Sequence, residues 1–174
     1  MYIYLDNKCV INTHGEFMPK HIVSGLNYLT ALSLRRKGYL QKEIAETLGT
    51  DRSTVSHYIN GRNISWDSIE IAEIITKLCP EDFLKMTHAL TKDADKTKII
   101  IKTLMVHEFN PKVKDSCIGC GLCVDTCLMK AVELTNLKSQ IDSNWCCGCR
   151  MCESRCPTNS IEIIEVQETE ACKN

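Results

Sequence analysis

The chain has 174 residues, a formal net charge of −1, 44% hydrophobic and 25% charged residues. This composition excludes a disordered or fibrous polymer, and the length is enough for one or two domains with a buried core. Nine of the twelve cysteines lie between Cys117 and Cys156, and cysteines gathered at one end mark a local site rather than a disulfide-stapled fold.

Charge divides the chain as well. Residues 20–64 carry seven basic and three acidic side chains (+4), residues 65–114 carry eight of each, and residues 115–174 carry five basic and nine acidic ones (−4). A basic front and an acidic back imply two modules with different partners.

The first segment, residues 1–18, starts MYIYLDNKCVINTHG. Asp6 and Lys8 interrupt it before any apolar run of signal-peptide length. No stretch of the chain reaches the ~20 apolar residues of a membrane-spanning helix. A cytoplasmic protein without a membrane partner is expected, and MYIYL is placed against CVINT as a short hairpin.

Residues 19–79 read as a helical bundle. Ile22, Leu26, Leu29 and Leu32 recur at helical spacing. The stretch RRKGYLQKEIAETLGTDRSTVSHYINGRNIS follows. Ile44, Ala45 and Leu48 form the apolar face of one helix, which Gly49 ends. Asp51 is placed as the cap of a second helix, with Val55, Tyr58 and Ile59 facing inward. A further helix holds Trp66, Ile69, Ile74, Ile75 and Leu78. Two short helices across Gly49 make a helix-turn-helix pattern.

The stretch QKEIAETLGTDRSTVSHYINGR resembles the Cro/phage-repressor-like (XRE-type) helix-turn-helix family, with Leu40 where that family often has a capping Ser or Thr. The resemblance implies binding of double-stranded DNA as a homodimer. Its DNA-facing positions fall on Gln41, Arg52, Ser53, Ser56 and His57, with Asn60 and Arg62 near the backbone. Arg35, Arg36 and Lys37 are further phosphate candidates. A protein-docking helical bundle is the plainer alternative, against which the local +4 charge argues.

Residues 80–110 are expected to form two helices that connect the modules. Pro80 suits a first turn, residues 91–95 break the pattern, and Asn110-Pro111 punctuates the end. The apolar run 99–106 is assigned to a dimer or interdomain surface, with core packing as an equal explanation. His88 and His107 are taken as helix-surface residues.

Residues 111–168 carry a duplication, with 169–174 as a tail. Cys117, Cys120, Cys123 and Cys127 make C-x2-C-x2-C-x3-C, and Cys146, Cys149, Cys152 and Cys156 repeat it 29 residues later. The flanks KAVEL and NSIEII repeat too, giving loop, short helix and strand twice. Zinc sites usually show two C-x2-C pairs with a longer spacer, which fits this pattern poorly. The segment resembles a bacterial-type two-cluster [4Fe-4S] ferredoxin, in which the fourth cysteine of each run serves the other cluster. The resemblance implies Cys117, Cys120, Cys123 and Cys156 for one cluster and Cys146, Cys149, Cys152 and Cys127 for the other. Leu128 stands where that family usually has proline. Cys147 is a ninth cysteine, read as a thiol packed beside the cluster or as an alternative ligand.

The expected fold class is α+β: an all-α helix-turn-helix bundle followed by a small ferredoxin-like domain of duplicated βαβ type. The chain has no nucleotide-binding glycine loop and no C-x3-C-x2-C run, and its histidines are scattered, so no enzyme is expected. The combination implies a redox- or oxygen-responsive transcriptional regulator of an anaerobic prokaryote. The alternative is a low-potential electron-transfer ferredoxin whose helical domain docks on a redox partner protein.

Overall fold

The computed structural model describes residues 20–62 and 64–166. The hairpin expected in residues 1–18, and Cys9 and Cys172, lie outside them. Six helices come first: α1 (Lys20–Arg36), α2 (Gln41–Leu48), α3 (Arg52–Ile59), α4 (Trp66–Thr76), α5 (Pro80–Thr91) and α6 (Ala94–Leu104). Then come β1 (Glu108–Val113), α7 (Leu122–Thr126), β2 (Val132–Thr135), β3 (Lys138–Ile141), α8 (Met151–Ser154) and β4 (Ile161–Val166). The α+β class holds, with helices leading and short strands following.

The helix-turn-helix core is small. Ala31 and Leu34 of α1 bury against Ile44, Ala45 and Leu48 of α2 and Val55 of α3, with Tyr58, Ile59 and Ile99 at its edge. Gly49 ends α2 in the left-handed region (φ 59°), and the Thr50 N–H returns to the Ala45 carbonyl at 2.9 Å. This cap suits glycine, which has no Cβ to clash there. Gly25 lets α1 and α4 approach closely, because a Cβ there would stand 2.1 Å from the Ser68 carbonyl oxygen.

On α4 the buried residues are Ser68, Ala72 and Ile75. Trp66 is 84% exposed and Ile74 55% exposed, so much of its apolar character faces away from the bundle. Helical spacing alone places these residues inward. Where α1 and α4 approach at Gly25 the small Ser68 and Ala72 fill the contact, while Trp66 and Ile74 turn out.

The connector differs from expectation too. α6 stops at Leu104, and residues 108–113 are a strand, so Asn110-Pro111 lies within β1. Among the described residues β1 has a single neighbour, β4, and Pro111 is tolerated on the other edge. His107 is not helical; it precedes β1 and its Nδ1 lies 2.6 Å from Glu165 Oε1 on β4. Ile100 and Ile101 are buried, so the 99–106 run is interior where it is most apolar.

The duplication reappears in the backbone. Each repeat is strand, cysteine loop, short helix, strand: β1–α7–β2 and β3–α8–β4. β1 pairs antiparallel with β4 and β2 with β3, each sheet joining the two repeats. Left-handed residues recur at the 29-residue offset: Gly119 with Gly148, Gly121 with Arg150, Lys130 with Asn159.

The two modules share a core. Leu26, Ala72, Ile75, Phe83, Leu84, Ile100 and Ile101 from the helices cluster with Met129, Ala131 and Cys147 from the cysteine-rich module.

Candidate metal centre and nucleic-acid interface

The α3 helix is fixed at its start by Asp51. Its carboxylate accepts from the Thr54 N–H and the Thr54 hydroxyl, each at 2.8 Å, and from the Ser53 hydroxyl. The Ser53 bond leads in holding the Asp51 carboxyl far below the usual carboxylate range, with the Thr54 bonds adding to it. At α2, Leu40 offers no side-chain acceptor, but the Glu43 carboxylate takes the Leu40 N–H at 2.7 Å. Half of a capping box therefore survives without the Ser or Thr.

Ser53 and His57 lie on the side of α3 opposite buried Val55 and half-buried Ile59, while Arg52 opens the helix, half-buried Ser56 lies at the flank and exposed Asn60 caps its end. Arg52 and Arg62 are exposed, while Gln41, Ser56 and His57 are half-buried. Three of these residues are engaged locally. Ser53 donates to Asp51, and the Asn60 amide donates to the Ser56 carbonyl at 2.8 Å and to the Ser56 hydroxyl oxygen at 3.3 Å. Arg52, His57 and Arg62 are thus the side chains left to reach outward, with Gln41 at the first position of α2.

Around the cysteines, turn geometry sets the thiols. Gly148 sits at φ 68°, and a Cβ there would lie 2.4 Å from the Phe109 ring. Phe109 packs with Cys123, Cys146, Cys152, Val132, Ile161 and Ile163, so one aromatic ring supports thiols of both loops. Each repeat also aims a backbone donor at its last thiol. The Ala131 N–H reaches Cys127 Sγ at 3.3 Å, and 29 residues on the Ser160 N–H reaches Cys156 Sγ at 3.3 Å.

The thiols fall into two neighbourhoods that cross between the repeats. Burial pushes the Cys152 thiol up to about 12, with Cys149, Cys146 and Cys127 adding repulsion. Burial likewise raises Cys146, again with Cys149 and Cys127 against it. Cys127 of the first run therefore sits among thiols of the second, at an inner position against the helices. The outer neighbourhood joins Cys117 to Cys156 electrostatically. There Ser139 Oγ lies 3.0 Å from Cys123 Sγ and 3.6 Å from Cys117 Sγ, and Cys120 is exposed. Backbone hydrogen bonds from Ser139 and Gly119 lower the Cys117 thiol.

Buried sulfurs that repel one another as thiolates require a compensating cation. Among the described residues, no three His, Cys, Asp or Glu side chains converge closely enough for a single metal ion. A lone zinc with bonds of about 2.3 Å draws its sulfurs within ~4.6 Å of each other. Thiols gathered from both loops, with N–H donors aimed at sulfur, fit a multi-iron group.

Cys147, which stands outside the repeat, is 2% exposed in the core shared with the helices. Its thiol donates to Cys149, a bond that lowers Cys149 to about 7 and raises Cys147 strongly, with burial adding to the latter. The sequence signal for this is the adjacent pair Cys146-Cys147; the core it enters has no local signature. The structure thus supports the packed-thiol reading. Phe109 and Ser139 were not anticipated, because both reach the thiols by strand pairing.

Two family models match the chain: a helix-turn-helix over residues 33–78 and a 4Fe-4S dicluster domain over residues 116–160. The chain carries two [4Fe-4S] clusters. A curated relative, the ferredoxin-type protein FwdE of Methanocaldococcus jannaschii, is 40% identical over 130 residues, covering 73% of this chain and 84% of the relative. A span of that length exceeds the dicluster match, so the likeness extends into the helical module. No solved structure matches the chain.

Proposed function

This chain belongs to the family of the ferredoxin-type protein FwdE, and from that footing we propose that it is a redox- or oxygen-responsive transcriptional regulator. Its modules make it a DNA-binding iron–sulfur protein; the proposal is that the two are coupled. One observation carries it. The cysteine-rich module is not tethered by a linker but completes the helical core, with Met129, Ala131 and Cys147 packed among Phe83, Leu84, Ile100 and Ile101. A change in the cysteine loops therefore bears on the helices that carry α3.

We assign Cys117, Cys120, Cys123 and Cys156 to the outer cluster and Cys146, Cys149, Cys152 and Cys127 to the inner one. When bound, each cluster supplies a one-electron couple and so changes local charge by one unit. The chain does the rest. Burial around Cys146 and Cys152 keeps water from the inner set, and Ser139 and the loop N–H groups orient thiols of the outer one. Arg52, His57, Arg62 and Gln41 read DNA, and Ser56, Ser53 and Asn60 shape that face. The exposed apolar side of α4, with Trp66 and Ile74, serves a homodimer matched to paired half-sites. The acidic module is held away from the phosphates.

Coupling between sites is typically 1–3 kcal/mol, so DNA affinity should shift about 5- to 150-fold between states. The test is DNA selection from random sequence with oxidised, reduced and apo protein side by side. No sequence preference in any state sinks the regulator. An electron carrier is the second reading, favoured by the exposed Cys120 and by Ile118, 65% exposed, beside it. Rapid electron exchange with unchanged DNA affinity would establish it.

A further inference from the structure

Helix α6 touches both ends of the molecule. Ile99 packs on the helix-turn-helix core, while Ile100 and Ile101 enter the core shared with Cys147. The same helix presents two half-buried lysines, four residues apart, to the inner cysteine loop. Lys98 Nζ lies 4.3 Å from the centroid of the Trp145 ring, next to Cys146. Lys102 lines a cleft whose other walls include Glu108, Phe109, Ser143 and Asn144. Neither lysine forms an ion pair among the described residues. By contrast Lys85, on α5 near Cys149, is already paired with Glu81.

We propose that Lys102 is a positioning residue through which α6 senses the charge held by the inner thiol set. The inference rests on the regulatory reading for its purpose but not for its test. Reduction adds one electron from an external one-electron donor, makes and breaks no covalent bond, and leaves the inner loop one unit more negative. A cation on α6 is then drawn toward that loop. Because Ile99 sits on the same helix, the pull is delivered to the core under α3. A lysine on a solvated face would feel none of this. A half-buried one, whose cleft-mate Glu108 forms no ion pair with it, is screened far less.

The experiment is an EPR-monitored redox titration of the full-length, cluster-loaded protein, with dithionite as the donor. A unit charge acting over roughly 12 Å at an effective dielectric of 20 shifts an equilibrium about tenfold. Lys102→Met should therefore lower one of the two one-electron steps by about tenfold in its reduction equilibrium, about 59 mV, and leave the other in place. Lys102→Arg should restore it, and Lys102→Gln should match the Met variant at wild-type iron content. Steps that stay at wild-type values, move together, or fail to recover with arginine overturn the proposal. DNA affinity of the wild type, measured oxidised and reduced, separates the two ideas. If affinity is insensitive to redox state while Lys102→Met moves one step, the sensing lysine stands and the regulator falls.

Discussion

Substitution of Gly148 by alanine probes the cluster loop at its tightest point. The residue holds φ 68°, and a Cβ would meet three atoms of the Phe109 ring at 2.4–2.5 Å. Holding a non-glycine residue in the left-handed region costs about 1–2 kcal/mol. Forcing the ring aside in a packed core costs about 1–3 kcal/mol more. The expected loss is thus about 2–5 kcal/mol, a large share of the 5–15 kcal/mol typical of a folded domain. For a chain of this size that lowers the melting midpoint by on the order of 10 °C. The assay is anaerobic thermal unfolding of the loaded protein, with iron and sulfide counted beforehand. Gly148→Ala should lose iron on mild chelation that the wild type withstands. Combining it with Phe109→Leu should recover part of the loss, since the ring is the obstacle. A variant as stable and iron-replete as the wild type would refute the reasoning. So would a double variant no better than both single losses combined, because the two positions would then be independent.

Three further outcomes are expected. Cys147→Ser should keep the full iron content of both clusters and lower stability by about 1–3 kcal/mol, because a hydroxyl replaces a thiol in an apolar core; iron analysis with denaturant unfolding checks both halves. Asp51→Ala should destabilise α3 while Asp51→Asn largely preserves it, read by amide exchange along residues 52–59. Because the folded Asp51 carboxyl lies below its ordinary 3.8, its contribution is fully present above that value and is lost as pH falls below it. Arg62→Ala should weaken DNA binding evenly across sequences and reduce the salt slope by about 1, whereas His57→Ala should relax preference at one base pair, measured by titrations at several salt concentrations.

Much of the site is legible in the sequence because its determinants are local. The 29-residue offset of the cysteine runs reappears in turns, helices and N–H···S bonds. Gly49 and Asp51 fix the ends of α2 and α3 through neighbours within four residues. What escapes local reading depends on distant partners. β1 exists because residues 108–113 find β4, residues 161–166, far along the chain. The apolar run in α6 resembles an exposed docking strip until Met129, Ala131 and Cys147 close over it. Trp66 and Ile74 fit a helical stripe in sequence, yet only the close contact at Gly25 decides which side of α4 turns inward.

The shared core also bears on how the chain is made. Domains form in order as a chain is synthesised, the N-terminal part first, at about 5–20 residues per second. Phe83, Leu84, Ile100 and Ile101 leave the ribosome before Met129, Ala131 and Cys147 exist to cover them. Their cover is then held in place by loops whose thiols need iron and sulfide. A cell short of either would accumulate chains with an uncovered apolar face, the kind of surface that chaperones and proteases recognise. Cofactor supply therefore bears on the lifetime of the helical half as well as on the cysteine-rich module.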